Sequence, residues 1–172
     1  MTARPATAND ADAIAAIYNQ GIEDGATFET RPRSAEDVQR WFDGAHPIVV
    51  VEDNGAIAAF AATFTYRPNR ECYVGVAEFS IYTLRRARGQ GAGRLAMQAL
   101  ISAAQKAGFW KLLSRVFPEN TASLALLRSC GFREVGIHQK HGKRDGVLRD
   151  VIIIERILVD EKCEGGDSGR EI

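Results

Sequence analysis

Four arginines and three glycines are concentrated in one short stretch of the chain, Arg85-Arg86-Ala87-Arg88-Gly89-Gln90-Gly91-Ala92-Gly93-Arg94. The stretch separates a predicted strand from a predicted helix. Glycine lets the backbone come close to a ligand, and the unpaired N–H groups and dipole of a helix start favour an anion there. Arginine adds bidentate hydrogen bonds to phosphate. These residues therefore predict a pyrophosphate-binding site, which we call the glycine loop.

The glycine loop departs from the two common nucleotide-binding motifs. The chain lacks the Gly-Lys-Ser/Thr ending of a P-loop, and Arg94 occupies the last position of a G-x-G-x-x-G fingerprint. The structural alternative is a glycine-rich turn with solvated arginines. Binding of nucleic acid is disfavoured because 22 Lys and Arg balance 22 Asp and Glu, which gives a formal net charge of +0.

A single carboxylate, Glu78, lies in the otherwise mostly apolar predicted strand Tyr73 to Thr83. Carboxylates are rare in buried strands, so this one indicates a function. A general base that accepts a proton from a substrate is one interpretation. The alternative is an ion pair with Arg67 or Arg70 in the preceding loop.

Apolar periodicity and turn residues predict the elements that position these groups. The order is a strand, two helices, a meander that turns at Asn54-Gly55, a strand–helix–strand–helix segment, and a hairpin that turns at Asp145-Gly146. The predicted fold class is α/β (α+β), with one twisted, mainly antiparallel sheet of about seven strands flanked by about four helices. We expect one domain over residues 1–158 and a disordered polar tail over 159–172.

Composition limits the remaining possibilities. The chain has 172 residues, of which 45% are hydrophobic and 26% charged, as expected for one globular core. No apolar run reaches about 18 residues and Met1 to Asn9 lacks a signal-peptide core, so we expect a cytoplasmic protein without membrane contact. Three distant cysteines predict reduced thiols, and His138 and His141, three apart on a strand, predict opposite faces and no metal site.

Two motifs resemble the GNAT N-acetyltransferase superfamily. Arg88-x-x-Gly91-x-Gly93 is similar to its acyl-CoA pyrophosphate loop, and Asn120-x-x-Ser123 followed by Gly131-Phe132 is similar to its second cofactor motif. The resemblance implies acetyl-CoA as co-substrate, with no metal. Without the resemblance, Asn120 is simply a helix cap. The implied cofactor-binding residues are Ile81, Tyr82, Thr83, Arg86, Arg88, Gly89, Gln90, Gly91, Ala92, Gly93, Arg94, Asn120 and Ser123.

Further segments resemble the phosphinothricin N-acetyltransferase subgroup, whose relatives act on methionine sulfoximine or arsinothricin. They are Ile17-Tyr18-Asn19, Ala26-Thr27-Phe28-Glu29-Thr30-x-Pro32, Glu78 with Ile81-Tyr82, and Gly146-x-x-x-Asp150-Val151. The resemblance implies acetylation of the α-amine of a small glutamate-like amino acid, which confers resistance to that compound. It also implies a homodimer.

An acceptor of this kind needs cationic and packing groups around it. Arg67 and Arg70 are predicted to pair with its charged groups, with solvated loop arginines as the alternative. For Phe28, Thr30 and Tyr73 the alternative is ordinary packing. Lys143 and Arg144 lie in the last hairpin turn, where related enzymes reach across a dimer, but an exposed charged turn is the more common explanation. The predicted substrate-binding residues are Phe28, Thr30, Arg67, Arg70, Tyr73 and Glu78.

Direct transfer requires a free amine, a proton acceptor and stabilisation of an oxyanion. Glu78 is the predicted base, and a backbone N–H near Ile81 or Tyr82 is the predicted oxyanion donor. Many GNAT enzymes protonate the leaving thiolate with a tyrosine where this chain has Leu127. Tyr82 is the predicted substitute, although its position equally suits a core residue.

Two other functions remain open. One is a GNAT enzyme for a protein N-terminus or a polyamine, which predicts an acidic or open acceptor groove. The other is a catalytically silent acyl-CoA-binding module, for which replacing Glu78 has no effect on any reaction.

Overall fold

The computed structural model describes residues 1–159. The strands are β1 (Thr2–Pro5), β2 (Ile48–Asp53), β3 (Ala56–Thr65), β4 (Val76–Thr83), β5 (Lys111–Val116), β6 (Arg133–Arg144) and β7 (Val147–Ile157). The α-helices are α1 (Ala11–Glu23), α2 (Ala35–Gln39), α3 (Ala92–Lys106) and α4 (Thr121–Ser129). The predicted tail lies outside the described residues from residue 160 onward.

The seven strands form one sheet in the order β1-β2-β3-β4-β5-β7-β6. Every neighbouring pair is antiparallel except β4 and β5, which are parallel. The predicted fold class, with its mainly antiparallel sheet of seven strands and its four helices, is confirmed. In the part of the chain that the structure describes, no helix is long and apolar enough to cross a membrane.

Strands in the first half of the sheet are covered on both faces, as β2 illustrates. Val49 and Val51 pack with residues of α3 and α4, whereas Ile48 and Val50 pack with residues of α1 and α2. Successive side chains of a strand point to opposite faces, so a strand buried on both faces is a continuous apolar run. The run Ile48-Val49-Val50-Val51 is such a strand.

The pairing of β4 changes along its length. It pairs with β3 from Ala77 to Thr83 but with β5 only from Val76 to Glu78. Beyond Glu78, therefore, the edge of β4 that faces β5 has no strand partner there. This split between β4 and β5 opens at Glu78 and leads to the glycine loop.

Two expectations about local structure were wrong. The strand predicted to begin at Tyr73 begins at Val76, after a short 3₁₀ turn over Glu71–Tyr73. The rings of His138 and His141 are not on opposite faces, since their centroids lie 4.8 Å apart. The pairing register shifts between His138 and Gly142, and Lys140 has a φ of 50°, so strand alternation fails there. Among the described residues, no group of three metal-ligating side chains occurs.

Candidate active site

The split between β4 and β5 forms a cleft with a volume of about 1060 Å³. Its walls come from the end of α1 and the loop after it, from β4, the glycine loop and β5, and from the start of α4. Thirteen positions were predicted for the co-substrate. Those that line the cleft are Ile81, Tyr82, Thr83, Arg88, Gly89, Gly91, Gly93, Arg94, Asn120 and Ser123. Arg86, Gln90 and Ala92 do not line it.

The glycine loop requires glycine at three positions. Gly89 and Gly91 have φ values of 74° and 91°, which belong to the left-handed region. At Gly93 a Cβ atom would lie 2.8 Å from Leu126 Cδ1 and 3.0 Å from Thr83 Oγ1. Gly91 is the N-cap of α3 and supplies no side chain, so the N–H groups of the first turn have no cap. This arrangement suits a phosphate.

Two arginines of the glycine loop already have an acidic partner. Arg88 Nη2 donates to Asp24 Oδ2 at 2.5 Å, and Arg85 donates to Asp24 Oδ1 at 2.7 Å. Hydrogen bonds from Arg85 and then Arg88 hold the pKa of Asp24 below its usual value. A phosphate that pairs with Arg88 must therefore share this arginine with Asp24.

Asn120 acts as a helix cap in this structure. Its Oδ1 accepts a hydrogen bond from the backbone N–H of Ser123 at 3.2 Å. Both residues also line the cleft. The capping interpretation and the location expected from the cofactor motif are therefore both met by the same residue.

Glu78 lies in the cleft in an ion pair. Arg115 of β5 donates to both its carboxylate oxygens, at 3.0 Å from Nη1 to Oε2 and 2.9 Å from Nη2 to Oε1. The hydrogen bonds to Glu78 raise the pKa of Arg115. The side chains are 26% and 36% exposed, so solvent reaches both. An ion pair was an alternative interpretation of Glu78, but the predicted partner was Arg67 or Arg70.

A second arginine of the cleft, Arg149 on β7, was also absent from the predicted site. Its guanidinium carbon lies 4.7 Å from the centre of the Phe117 ring, and its Nη2 lies 3.3 Å from Glu119 Oε2. Arg115 shares β5 with Lys111, and Arg149 shares β7 with Asp150, Glu155 and Arg156. Neither arginine is a lone charge in its strand, so the pattern that identified Glu78 does not identify them.

Most of the predicted acceptor residues lie elsewhere. Thr30, Arg67, Arg70 and Tyr73 are not among the residues that line the cleft. Arg67 instead lies close to two aromatic rings, with its guanidinium carbon 5.4 Å from the centre of Tyr66 and 5.9 Å from that of Tyr73.

Phe28 does line the cleft, and it also packs. Its ring meets that of Phe117 edge on, with the centroids 4.8 Å apart. A Cβ atom at residue 142 would lie 2.7 Å from this ring, so Gly142 is needed beneath it. Phe28 therefore packs against Phe117 and also lines the cleft, and contact with an acceptor stays a prediction.

The loop that carries Phe28 is fastened by Arg144. This arginine donates hydrogen bonds to the carbonyl oxygens of Ile22 at 2.8 Å and Glu29 at 2.9 Å, and also to that of Thr27. Its side chain is only 12% exposed. The expectation of an exposed charged turn was therefore wrong for Arg144, although Lys143 is exposed. One acceptor carbonyl group lies in the last turn of α1 and two lie in the loop after it, so one guanidinium joins the helix end to the loop.

Tyr82 is packed as a core residue at the edge of the cleft. Its ring centre lies 4.9 Å from that of Tyr18 and 5.6 Å from that of Phe60. A Cβ atom at Gly21 would lie 2.5 Å from the ring, so a glycine in the middle of α1 makes room for it. Burial raises the pKa of Tyr82, so its phenol stays protonated at neutral pH.

The fold and the cleft together are typical of one class of enzyme: a domain in which a glycine-rich helix start lies near a carboxylate at a split in the sheet. The chain belongs to the Acetyltransferase (GNAT) family, whose model matches residues 15–132. It is therefore an acetyltransferase.

Several individual acetyltransferases are similar to this chain. The chain is 32% identical over 163 residues to a phosphinothricin N-acetyltransferase of Alcaligenes faecalis, covering 91% of this chain and 82% of the relative. It is 30% identical over 158 residues to an L-methionine sulfoximine/L-methionine sulfone acetyltransferase of Pseudomonas paraeruginosa, covering 88% and 91%. A crystal structure of a GNAT superfamily phosphinothricin acetyltransferase from Sinorhizobium meliloti, in complex with acetyl-CoA, has a TM-score of 0.83 and 31% identity, covering 91% and 88%.

Proposed function

We propose that this enzyme transfers the acetyl group of acetyl-CoA to the α-amine of a small anionic amino acid of the phosphinothricin or methionine sulfoximine type. The observation that carries the proposal is the position of Glu78, which lines the same cleft as the glycine loop at the residue where β4 and β5 separate. A carboxylate in the same cleft as the predicted acetyl-CoA site supports a role for Glu78 as the proton acceptor. The names of the relatives supply the class of acceptor.

Each wall of the cleft has one task in this proposal. The glycine loop, with Arg88 and Arg94, binds the diphosphate through backbone N–H groups and guanidinium groups. The free edge of β4 at Ile81–Thr83 offers backbone groups to the pantetheine arm. Asn120 and Ser123, at the start of α4, also line the cleft. Arg115 and Arg149 supply the positive charge that an anionic acceptor needs.

The reaction needs one proton acceptor and no covalent enzyme intermediate. Glu78 takes a proton from the α-ammonium, directly or through water, and the free amine attacks the thioester carbon. The C–N bond forms and the C–S bond breaks. Tyr82 is the proposed donor of the one proton that the leaving thiolate takes up, and the proton lost from the new amide nitrogen restores its phenol. A thiol of ordinary acidity leaves without much help. The net result is an N-acetyl amino acid, coenzyme A and one proton passed to water.

The acceptor class is tested by measuring acetyl-CoA-dependent thiol release with a panel of amines. We expect turnover with phosphinothricin, methionine sulfoximine and arsinothricin, and at least tenfold lower kcat/KM with alanine-initiated peptides and with spermidine, because the cleft arginines favour an anion. Higher activity with the peptides or the polyamine would instead support an N-terminal or polyamine acetyltransferase. Acetyl-CoA binding without thiol release from any amine would support a silent binding module.

We further propose that the enzyme is a homodimer. The hairpin of β6 and β7 lies at one edge of the sheet and exposes large apolar side chains, among them Ile137, Val147 and Leu148. Exposed apolar groups clustered on one edge are typical of an interface. Sedimentation equilibrium is expected to give twice the chain mass of 18.8 kDa. A single species at the chain mass at micromolar concentration would contradict the proposal.

We also propose a cytoplasmic location. Cys72 and Cys130 are free thiols in the described part of the chain, which is typical of proteins in a reducing compartment.

A further inference from the structure

The ion pair of Glu78 and Arg115 lies inside the cleft, where a purely structural ion pair is not needed. The two side chains come from neighbouring parallel strands and meet in the cleft: Glu78 is the last residue of β4 that pairs with β5, and Arg115 lies two residues beyond its register partner Leu113. Both remain partly exposed, at 26% and 36%. Exposed pairs contribute little to stability, so this one is poorly explained as a fastening between β4 and β5.

The charges of this ion pair are complementary to those of an amino acid. The α-carbon of an amino acid carries an ammonium and a carboxylate separated by two bonds, and the cleft offers a carboxylate and a guanidinium in direct contact. A zwitterion that enters between them exchanges one internal ion pair for two external ones. Its carboxylate receives the bidentate fork of Arg115, and its ammonium meets the oxygens of Glu78.

We infer that the Glu78–Arg115 ion pair is the receptor for the zwitterionic α-amino carboxylate group of the acceptor, and that this group separates the pair when it binds. The inference rests on the proposed function and deepens it, because it assigns the acceptor's α-carboxylate to Arg115 rather than to Arg67 or Arg70. In the free enzyme both oxygens of Glu78 accept hydrogen bonds from Arg115. The entering carboxylate accepts these hydrogen bonds in place of Glu78. The Glu78 carboxylate is then free to interact with the acceptor's ammonium, so binding of the substrate makes the base available.

Arg149 has a different place in this arrangement. It lies in the same cleft but is paired with Glu119 and stacked on Phe117, outside the contact between Glu78 and Arg115. It is available to the side-chain end of an acceptor, which in phosphinothricin is a second anion. Removal of the α-carboxylate from the acceptor therefore tests Arg115 separately from Arg149.

The experiment compares L-methionine sulfoximine with its α-carboxamide. Binding of each to the enzyme saturated with coenzyme A is measured by calorimetry, so that no turnover occurs. The wild-type enzyme is expected to bind the acid roughly tenfold or more tightly than the carboxamide, as for one charge-assisted hydrogen-bonded contact that is partly exposed. Arg115→Gln is expected to bind the two compounds equally, and Arg115→Lys, which retains the charge but not the fork, to give an intermediate ratio.

Partial unfolding of a protein preparation lowers the apparent affinities for both compounds equally, so it does not change their ratio. Arg128→Gln is the matched control because Arg128 also forms an Arg–Glu pair, with Glu134, outside the cleft, and we expect it to retain the wild-type ratio.

Equal binding of acid and carboxamide by the wild type, or an unchanged preference in Arg115→Gln, would overturn the inference even if both compounds are acetylated. A preference that Arg115→Gln abolishes, in an enzyme that releases no thiol with the acid, would support the receptor and overturn the proposed function. No detectable binding of the acid would overturn both.

Discussion

Replacing Glu78 by glutamine is expected to lower kcat for acetyl transfer by about 10²- to 10⁴-fold, the usual contribution of a general base. Glutamine has nearly the same shape and can still accept a hydrogen bond from Arg115, but it cannot take the proton from the acceptor's ammonium. Thiol release under saturating acceptor and acetyl-CoA measures the loss. Calorimetry with acetyl-CoA should give an unchanged Kd, because the carboxylate is not part of the glycine loop.

The pH dependence distinguishes a lost base from a disturbed structure. As the pH rises, a larger fraction of the acceptor amine is already free, so the deficit of Glu78→Gln should shrink. Glu134→Gln is the matched control, because it removes a carboxylate from the other Glu–Arg pair and lies outside the cleft. A deficit that stays constant with pH, or a loss of less than about threefold, would exclude Glu78 as the base.

Replacing Asp10 by alanine is expected to lower the free energy of unfolding by about 2–4 kcal/mol, as for a broken, largely buried ion pair. Asp10 is 7% exposed and accepts two hydrogen bonds of 2.8 Å from Arg4 and one of 2.7 Å from the backbone N–H of Thr7. Arg4 in turn donates to Glu52 at 2.8 Å, so this network joins β1, β2 and the start of α1. Urea denaturation at pH 7 measures the effect.

The same carboxylate should make stability dependent on acidity. Hydrogen bonds from Arg4 lower the pKa of Asp10 from 3.8 to about 2. Because the folded pKa is the lower one, the stabilisation is fully present above about pH 4 and is lost as the pH falls through 2. The difference in unfolding free energy between wild type and Asp10→Asn should therefore shrink by about 2 kcal/mol over that range. Asp12→Asn, which removes an exposed carboxylate from the same region, provides the comparison. A difference that does not change with pH would contradict the assignment.

Local turn chemistry made much of the fold predictable. Both hairpin turns occur at the predicted residues, with positive φ at Asn54-Gly55 and at Asp145-Gly146. These dipeptides tolerate the left-handed backbone that a two-residue hairpin requires, so a few residues determine the turn. The glycine loop and the cap at Asn120 were predictable for the same reason, because each depends on residues close together in the chain.

The cleft was less predictable because it depends on contacts between distant residues. Glu78 and Arg115 are neighbours only because β4 and β5 are parallel and paired as far as Glu78, a register that no local pattern specifies. Arg144 was expected to be solvated, as charged turn residues usually are, yet it reaches three carbonyl groups more than 100 residues away in sequence. Arg67 and Arg70 were assigned from their proximity in sequence to Glu78, and that proximity did not bring them to the cleft.

The split between β4 and β5 has an evolutionary consequence. Peptide N–H and C=O groups are the same whatever side chain a codon specifies, so a ligand bound along Ile81–Thr83 depends on the course of the backbone rather than on the identity of these residues. The acceptor end that we propose, by contrast, consists of individual side chains of the cleft such as those of Arg115 and Arg149. Mutations at that end can therefore change which amine is modified, while the donor half of the cleft is inherited intact.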